Sequence, residues 1–143
     1  MPRPVTALIV DDEPHVHVYL RILLNQLGIH TVWDASEGHT ALQLADEHKP
    51  DVVLLDINLP QVSGLQILEK LKAAHPKMPI IVVSVEDKLE TLVQTRELGA
   101  DEYVLKHLPR AKLLKMFSDA FDRIAEYSGG EADGDGEKPA APS

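Results

Sequence analysis

A chain of 143 residues, 44% hydrophobic and 26% charged, has room for one globular core and not for two catalytic domains. The lack of cysteine excludes disulfides, thiolate metal sites and cysteine nucleophiles, and suits a reducing compartment. The 23 acidic residues against 14 basic give a formal charge of -9, which disfavours nucleic acid and anionic membrane as partners.

The first apolar stretch, Val5 to Val10, runs straight into Asp11, Asp12 and Glu13. It is far short of the roughly 20 residues of a membrane span, so a cytoplasmic location is expected. Within it, Ala7-Leu8-Ile9-Val10 reads as a strand covered on both faces. Pro14 then opens a helix with Val16, Leu20, Leu23, Leu24 and Leu27 on one side, stopped by Gly28.

His30 to Trp33 predicts a second strand, and Ser36 a cap for a helix that turns Ala41, Leu42 and Ala45 inward until Lys49-Pro50. Val52-Val53-Leu54-Leu55 is the clearest buried strand. A loop through Pro60 and Gly64 leads to a helix using Leu65, Leu68 and Leu71, closed by Pro76 and Pro79. Ile80 to Val83 predicts the fourth strand, and Leu89, Leu92 and Val93 mark a short helix ended by Gly99. After a brief fifth strand, Tyr103 to Leu105, and Pro109, the residues Leu113, Leu114, Phe117, Phe121 and Ile124 form the inward stripe of a last helix. Five βα units make an α/β domain over residues 1–127.

From Ser128 to Ser143 the composition shifts to Gly, Ala, Pro and acids, with no large apolar side chain to offset the entropy of ordering. This stretch is expected to be a disordered tail or linker. Its four acids and one lysine carry -3 of the -9, so the domain itself stays acidic.

Parallel α/β sheets bind ligands beyond the carboxyl ends of their strands. The residues at those ends are Asp11, Asp12 and Glu13 after the first strand, Asp56-Ile57-Asn58 after the third, Ser84-Val85-Glu86 after the fourth and Lys106 after the fifth. Singly, each has an ordinary explanation: a helix start, a turn-capping Asp, a strand-ending Ser, a solvated Lys. Their joint occurrence, one group after each of four strands, is what points to a site.

That pattern, over about residues 5 to 127, resembles the response-regulator receiver domain. The resemblance implies a three-layer, doubly wound (flavodoxin-like) fold with five parallel strands in the order 2-1-3-4-5 and five helices. In that order the first and third strands are neighbours, which brings Asp11 and Asp12 within reach of Asp56. Three carboxylates in one small space repel unless a cation intervenes, and an all-oxygen donor set suits Mg²⁺ or Mn²⁺.

The resemblance further implies a histidine kinase or phosphotransfer protein as partner, donating a phosphoryl group from phosphohistidine to Asp56. Asp12, Asp56 and the Asn58 backbone carbonyl would hold the metal, with Asp11 acting through a metal-bound water. Lys106 and Ser84 would contact the phosphoryl oxygens, and Ser84 would couple to Tyr103 as a switch. Asn58 and Glu86 would flank the water that removes the phosphate. The output would be a downstream protein target or a separate effector domain, and the fourth helix, fifth strand and last helix could pair two copies.

Two departures from the family pattern stand out. His107 follows Lys106 where Pro is usual, so a trans peptide is expected there. Val85 is bulky where a small residue is frequent, and is expected to narrow access to the site. Rival readings fit less well. A flavin carrier needs a donor-rich loop after the first strand, which Asp11-Asp12-Glu13 would defeat. An aspartate-nucleophile phosphatase of the haloacid dehalogenase type places Asp-x-Asp after its first strand, whereas here the motif is late and ends in Asn58. A degenerate receiver, binding partners without phosphorylation, is the remaining alternative. The seven histidines are too scattered for a metal site, and Arg110, Lys112 and Lys115 suit a solvated or partner-docking face.

Overall fold

A computed structural model of the chain describes residues 3–59 and 61–129. The elements alternate as β1 (Thr6–Val10), α1 (Pro14–Gln26), β2 (Thr31–Ala35), α2 (Gly38–His48), β3 (Val52–Leu55), α3 (Gly64–Ala74), β4 (Ile80–Ser84), α4 (Leu89–Glu97), β5 (Glu102–Leu105) and α5 (Arg110–Gly129). The strands form one parallel sheet in the order β2-β1-β3-β4-β5. The doubly wound fold is therefore as expected.

The unbroken apolar runs have a direct structural cause: successive side chains enter different cores. Ala7 and Ile9, Val52 and Leu54, and Ile81 and Val83 pack with α1 and α5. Leu8 and Val10, Val53 and Leu55, and Ile80 and Val82 pack with α2 and α3. The central strands β1, β3 and β4 thus carry both cores, and their carboxyl ends are rigid supports for the polar groups that follow.

Several local expectations need correction. β2 runs Thr31–Ala35, later than the His30–Trp33 reading, and Ala35 is its buried end. Ser36 does not cap α2; Glu37 holds that position without a side-chain cap. Gly64 belongs to α3, whose cap is the Ser63 hydroxyl accepting from the Leu65 amide. In α3 the fully buried residues are Ile67, Leu68 and Leu71, with Leu65 only partly covered. Leu89, Leu92 and Val93 do lie in the short helix α4, as expected; they face solvent there, and its one buried side chain is Thr95. The expected tail begins at Ser128, inside the last turn of α5; residues 130–143 and Pro60 lie outside the described residues.

Candidate functional site

The apolar run of β3 ends on Asp56, which is buried at 3% exposure, and that of β1 ends on Asp11, buried at 1%. Because β1 and β3 are hydrogen-bonded neighbours, Val10 and Leu55 sit in register and the following acids emerge side by side. Asp12, one residue on, is exposed. One carboxylate oxygen from each of Asp11, Asp12 and Asp56 lies within 4.8 Å of the other two. The three predicted acids are thus brought together.

The two buried acids, Asp11 and Asp56, are held by backbone. The Asp11 amide donates to Ala35 at the end of β2, and the Asp56 amide donates to Val10. Oδ1 of Asp11 accepts from the Glu13 amide at 2.9 Å, and Oδ1 of Asp56 accepts from the Asn58 amide at 3.0 Å. These turns aim the remaining oxygens into the shared space. Gly64 makes the second turn possible: a Cβ there would lie 2.2 Å from Ile57 Cα and 2.6 Å from the Asp56 carbonyl oxygen.

Lys106, from the end of β5, reaches over β4 to place Nζ 2.9 Å from Asp56 Oδ2 and 2.9 Å from Asp11 Oδ2, with Glu13 at 3.5 Å. The replacement of Pro by His107 does not prevent this, and no cis peptide occurs among the described residues. Burial opposes the charged ammonium, but its hydrogen bonds to Asp11 and Asp56 and their charges outweigh that and push its pKa up. For Asp56 burial wins: its pKa is raised, although the Asn58 amide and Lys106 pull it down. Added positive charge beside such a buried carboxylate would favour its ionised form.

Ser84 is wholly buried at the end of β4, and its hydroxyl accepts from Asn58 Nδ2 at 3.3 Å and the Glu86 amide at 3.1 Å. Tyr103, half-buried on β5, lies against Ser84 and donates its hydroxyl to the Glu86 carbonyl at 2.6 Å. Burial raises its pKa, with the acids Glu86, Asp56 and Asp87 adding to the effect. The Glu86 side chain turns toward Lys88, and with Asn58 it lines a polar cavity of about 380 Å³. Val85 is 54% exposed beside Lys106 and His107 at the mouth of a neighbouring cavity.

The donor set fits a hard divalent cation. All candidate ligands are oxygens, two of the three carboxylates are buried, and among the described residues the ammonium of Lys106 bridges the two buried ones. His17, grouped in the sequence with the scattered histidines and given no role, is buried under the site with Nε2 on the Asp11 carbonyl. Its spacing offered a signal: His17 precedes Leu20 by three and Leu24 by seven, which puts it on the edge of the apolar stripe of α1.

Among protein families, the response regulator receiver domain matches residues 7–118. The nitrate/nitrite response regulator protein NarL of Escherichia coli is 36% identical over 118 residues, which cover 82% of this chain and 55% of that protein. The transcriptional regulatory protein KdpE of Mycobacterium tuberculosis is 42% identical over 100 residues, covering 70% of this chain and 43% of its own. The chain spans about half the length of these curated relatives. Among solved structures, a CheY-like receiver domain protein from Methanospirillum hungatei superposes with a TM-score of 0.76 at 28% identity, covering 85% of this chain and 97% of that one. The CheX-CheY-BeF3-Mg²⁺ complex from Borrelia burgdorferi gives 0.77 at 26% identity, covering 83% of this chain and 90% of that one.

Proposed function

Since this chain belongs to the response-regulator receiver family, we propose that Asp56 accepts a phosphoryl group from the phosphohistidine of a sensor kinase or phosphotransfer protein. One observation carries this reading: Asp56 is a buried carboxylate at a strand end, sharing a space under 4.8 Å across with two further acids and touched by one ammonium. In the transfer a carboxylate oxygen of Asp56 forms the new P–O bond as the P–N bond breaks. The imidazole departs with that electron pair and is protonated from solvent.

The chemistry asks for positioning and for relief of charge, because an anionic nucleophile meets an anionic phosphoryl group. The Asn58 amide fixes one oxygen of Asp56, while the other, in contact with Lys106, faces the donor side. Lys106 supplies a fixed positive charge, and the Ser84 hydroxyl is placed to donate to a phosphoryl oxygen once it turns from its present partners. Asp12, Asp56 and the Asn58 carbonyl would hold Mg²⁺ or Mn²⁺, with Asp11 through a water, and the ion would add the positive charge the acids call for. Water reaching the phosphate would pass Asn58 and Glu86, which line the adjoining cavity.

The output follows the same residues. Ser84 links the site to Tyr103 and, through Glu86, to the segment leading into α4. The exposed Leu89, Leu92 and Val93 of α4 would meet a downstream target, an effector domain or a second copy. The deciding experiment is labelling of wild type and Asp56→Asn by acetyl phosphate, with and without Mg²⁺. Label on wild type only, and only with the metal, is expected; equal labelling of both proteins would overturn the assignment.

A further inference from the structure

The acidic site has a support beneath it that the phosphoryl chemistry does not use. His17, on the first turn of α1, is 8% exposed. Its Nε2 faces the backbone carbonyl of Asp11, and its Nδ1 lies 3.2 Å from Asp34 Oδ1 on β2. Asp34 in turn pairs with Arg21, one helical turn further along α1, which also donates to the Val32 carbonyl at 3.2 Å. A carbonyl oxygen only accepts, so Nε2 is the donor toward Asp11.

That carbonyl belongs to the peptide joining Asp11 to Asp12. Its flanking torsions, ψ of Asp11 and φ of Asp12, set where the two carboxylates point. On the other side of Asp11 the amide is already tied to Ala35. With the amide held by β2 and the carbonyl held by His17, the peptide cannot rotate without losing a buried hydrogen bond. Without His17 the carbonyl would be left buried and unpaired, and the peptide would be free to turn toward another donor.

We propose that His17 is a positioning residue for the acidic site: its Nε2 clamps the Asp11–Asp12 peptide and so holds both carboxylates facing Asp56. This rests on the reading of Asp11, Asp12 and Asp56 as a divalent-metal site. Outer groups that fix a ligand's orientation set much of a metal site's affinity, so loss of the clamp should weaken Mg²⁺ binding.

Side-chain mimicry gives the test. The amide nitrogen of Gln falls where Nε2 of His lies, whereas that of Asn falls where Nδ1 lies. The full chain is titrated with MgCl₂ by calorimetry, and thermal unfolding is measured separately in EDTA. His17→Gln is expected to bind Mg²⁺ within about twofold of wild type, while His17→Asn and His17→Leu bind about tenfold more weakly. Asp34→Asn, which keeps Nε2 on the carbonyl, is expected to lose thermal stability but not affinity. The proposal is overturned if His17→Asn binds as tightly as wild type, if His17→Gln binds as weakly as His17→Leu, or if affinity simply tracks unfolding temperature across the set. Wild type that binds no Mg²⁺ would instead overturn the metal-dependent phosphoacceptor reading, and this proposal with it.

Discussion

Lys106 closes directly onto Asp56, its Nζ 2.9 Å from Oδ2, although the two residues end strands that are not adjacent in the sheet. Ser84, at the end of the intervening β4, is fully buried. The same ammonium is equally close to Asp11, so one cation bridges two buried anions.

Lys106→Met should therefore destabilise the metal-free protein by about 3 kcal/mol at neutral pH, the usual cost of stripping one partner from a buried charge cluster. Urea unfolding in EDTA checks this. The same variant should bind Mg²⁺ more tightly than wild type, because the ammonium no longer occupies the oxygens of Asp11 and Asp56. A stability loss confined to a few tenths of a kcal/mol would mean the bridge is solvated rather than structural.

Asp56→Asn should stabilise the metal-free chain at neutral pH. Burial raises the Asp56 pKa above its unfolded value of 3.8, so the folded state binds its proton more tightly than the unfolded state does. For a raised carboxylate the unfolded chain ionises first as pH climbs, and folding stability falls from that point upward. The advantage of the Asn variant should then shrink as pH is lowered toward 3.8 and below. Melting temperatures of both proteins over an acid-to-neutral series, in EDTA, provide the comparison; a constant difference across the series would contradict it.

Much of this site was legible before any coordinates, for a physical reason. A carboxylate directly after four apolar residues, as at Asp56, is costly wherever the chain goes unless something binds it, so its position carries information by itself. Leu89, Leu92 and Val93 carry much less. Their helical spacing announces a helix but not whether its apolar side meets the sheet or the solvent. Ser36 and Glu37 illustrate a smaller ambiguity: either can precede a helix, and the choice depended on where β2 ended, which its short mixed sequence left open by two residues. Gly64 read as a loop glycine because the crowding that demands it comes from Asp56 and Ile57, residues that only the fold brings against it.

Gly64→Ala should cost about 3 kcal/mol, because the added methyl meets backbone rather than a side chain able to turn aside. The displaced atoms include the Asp56 carbonyl, so acetyl phosphate labelling should fall in the same variant. Urea unfolding and labelling measured on one preparation test both halves. Full activity with lowered stability would separate the turn from the nucleophile.

Ser84→Ala and Tyr103→Phe should behave differently. Removing the Ser84 hydroxyl deprives Asn58 and the Glu86 amide of an acceptor in a fully buried place, a loss of about 1–3 kcal/mol. Removing the Tyr103 hydroxyl frees a half-buried carbonyl, a loss of about 1 kcal/mol. Labelling should slow in Ser84→Ala and stay near wild type in Tyr103→Phe, since under the proposed function only Ser84 would touch the phosphoryl group. Slowed labelling in both variants would place Tyr103 in the chemistry itself.

The single inward side chain of α4, Thr95, has a mechanical meaning. Re-seating a helix rooted by a row of leucines would tear open the interior; one with a single buried threonine would give up far less apolar contact if it shifted. The segment that leads into it starts from Ser84, so on the proposed reading an ångström-scale pull at the acidic site would reach this weakly rooted helix first.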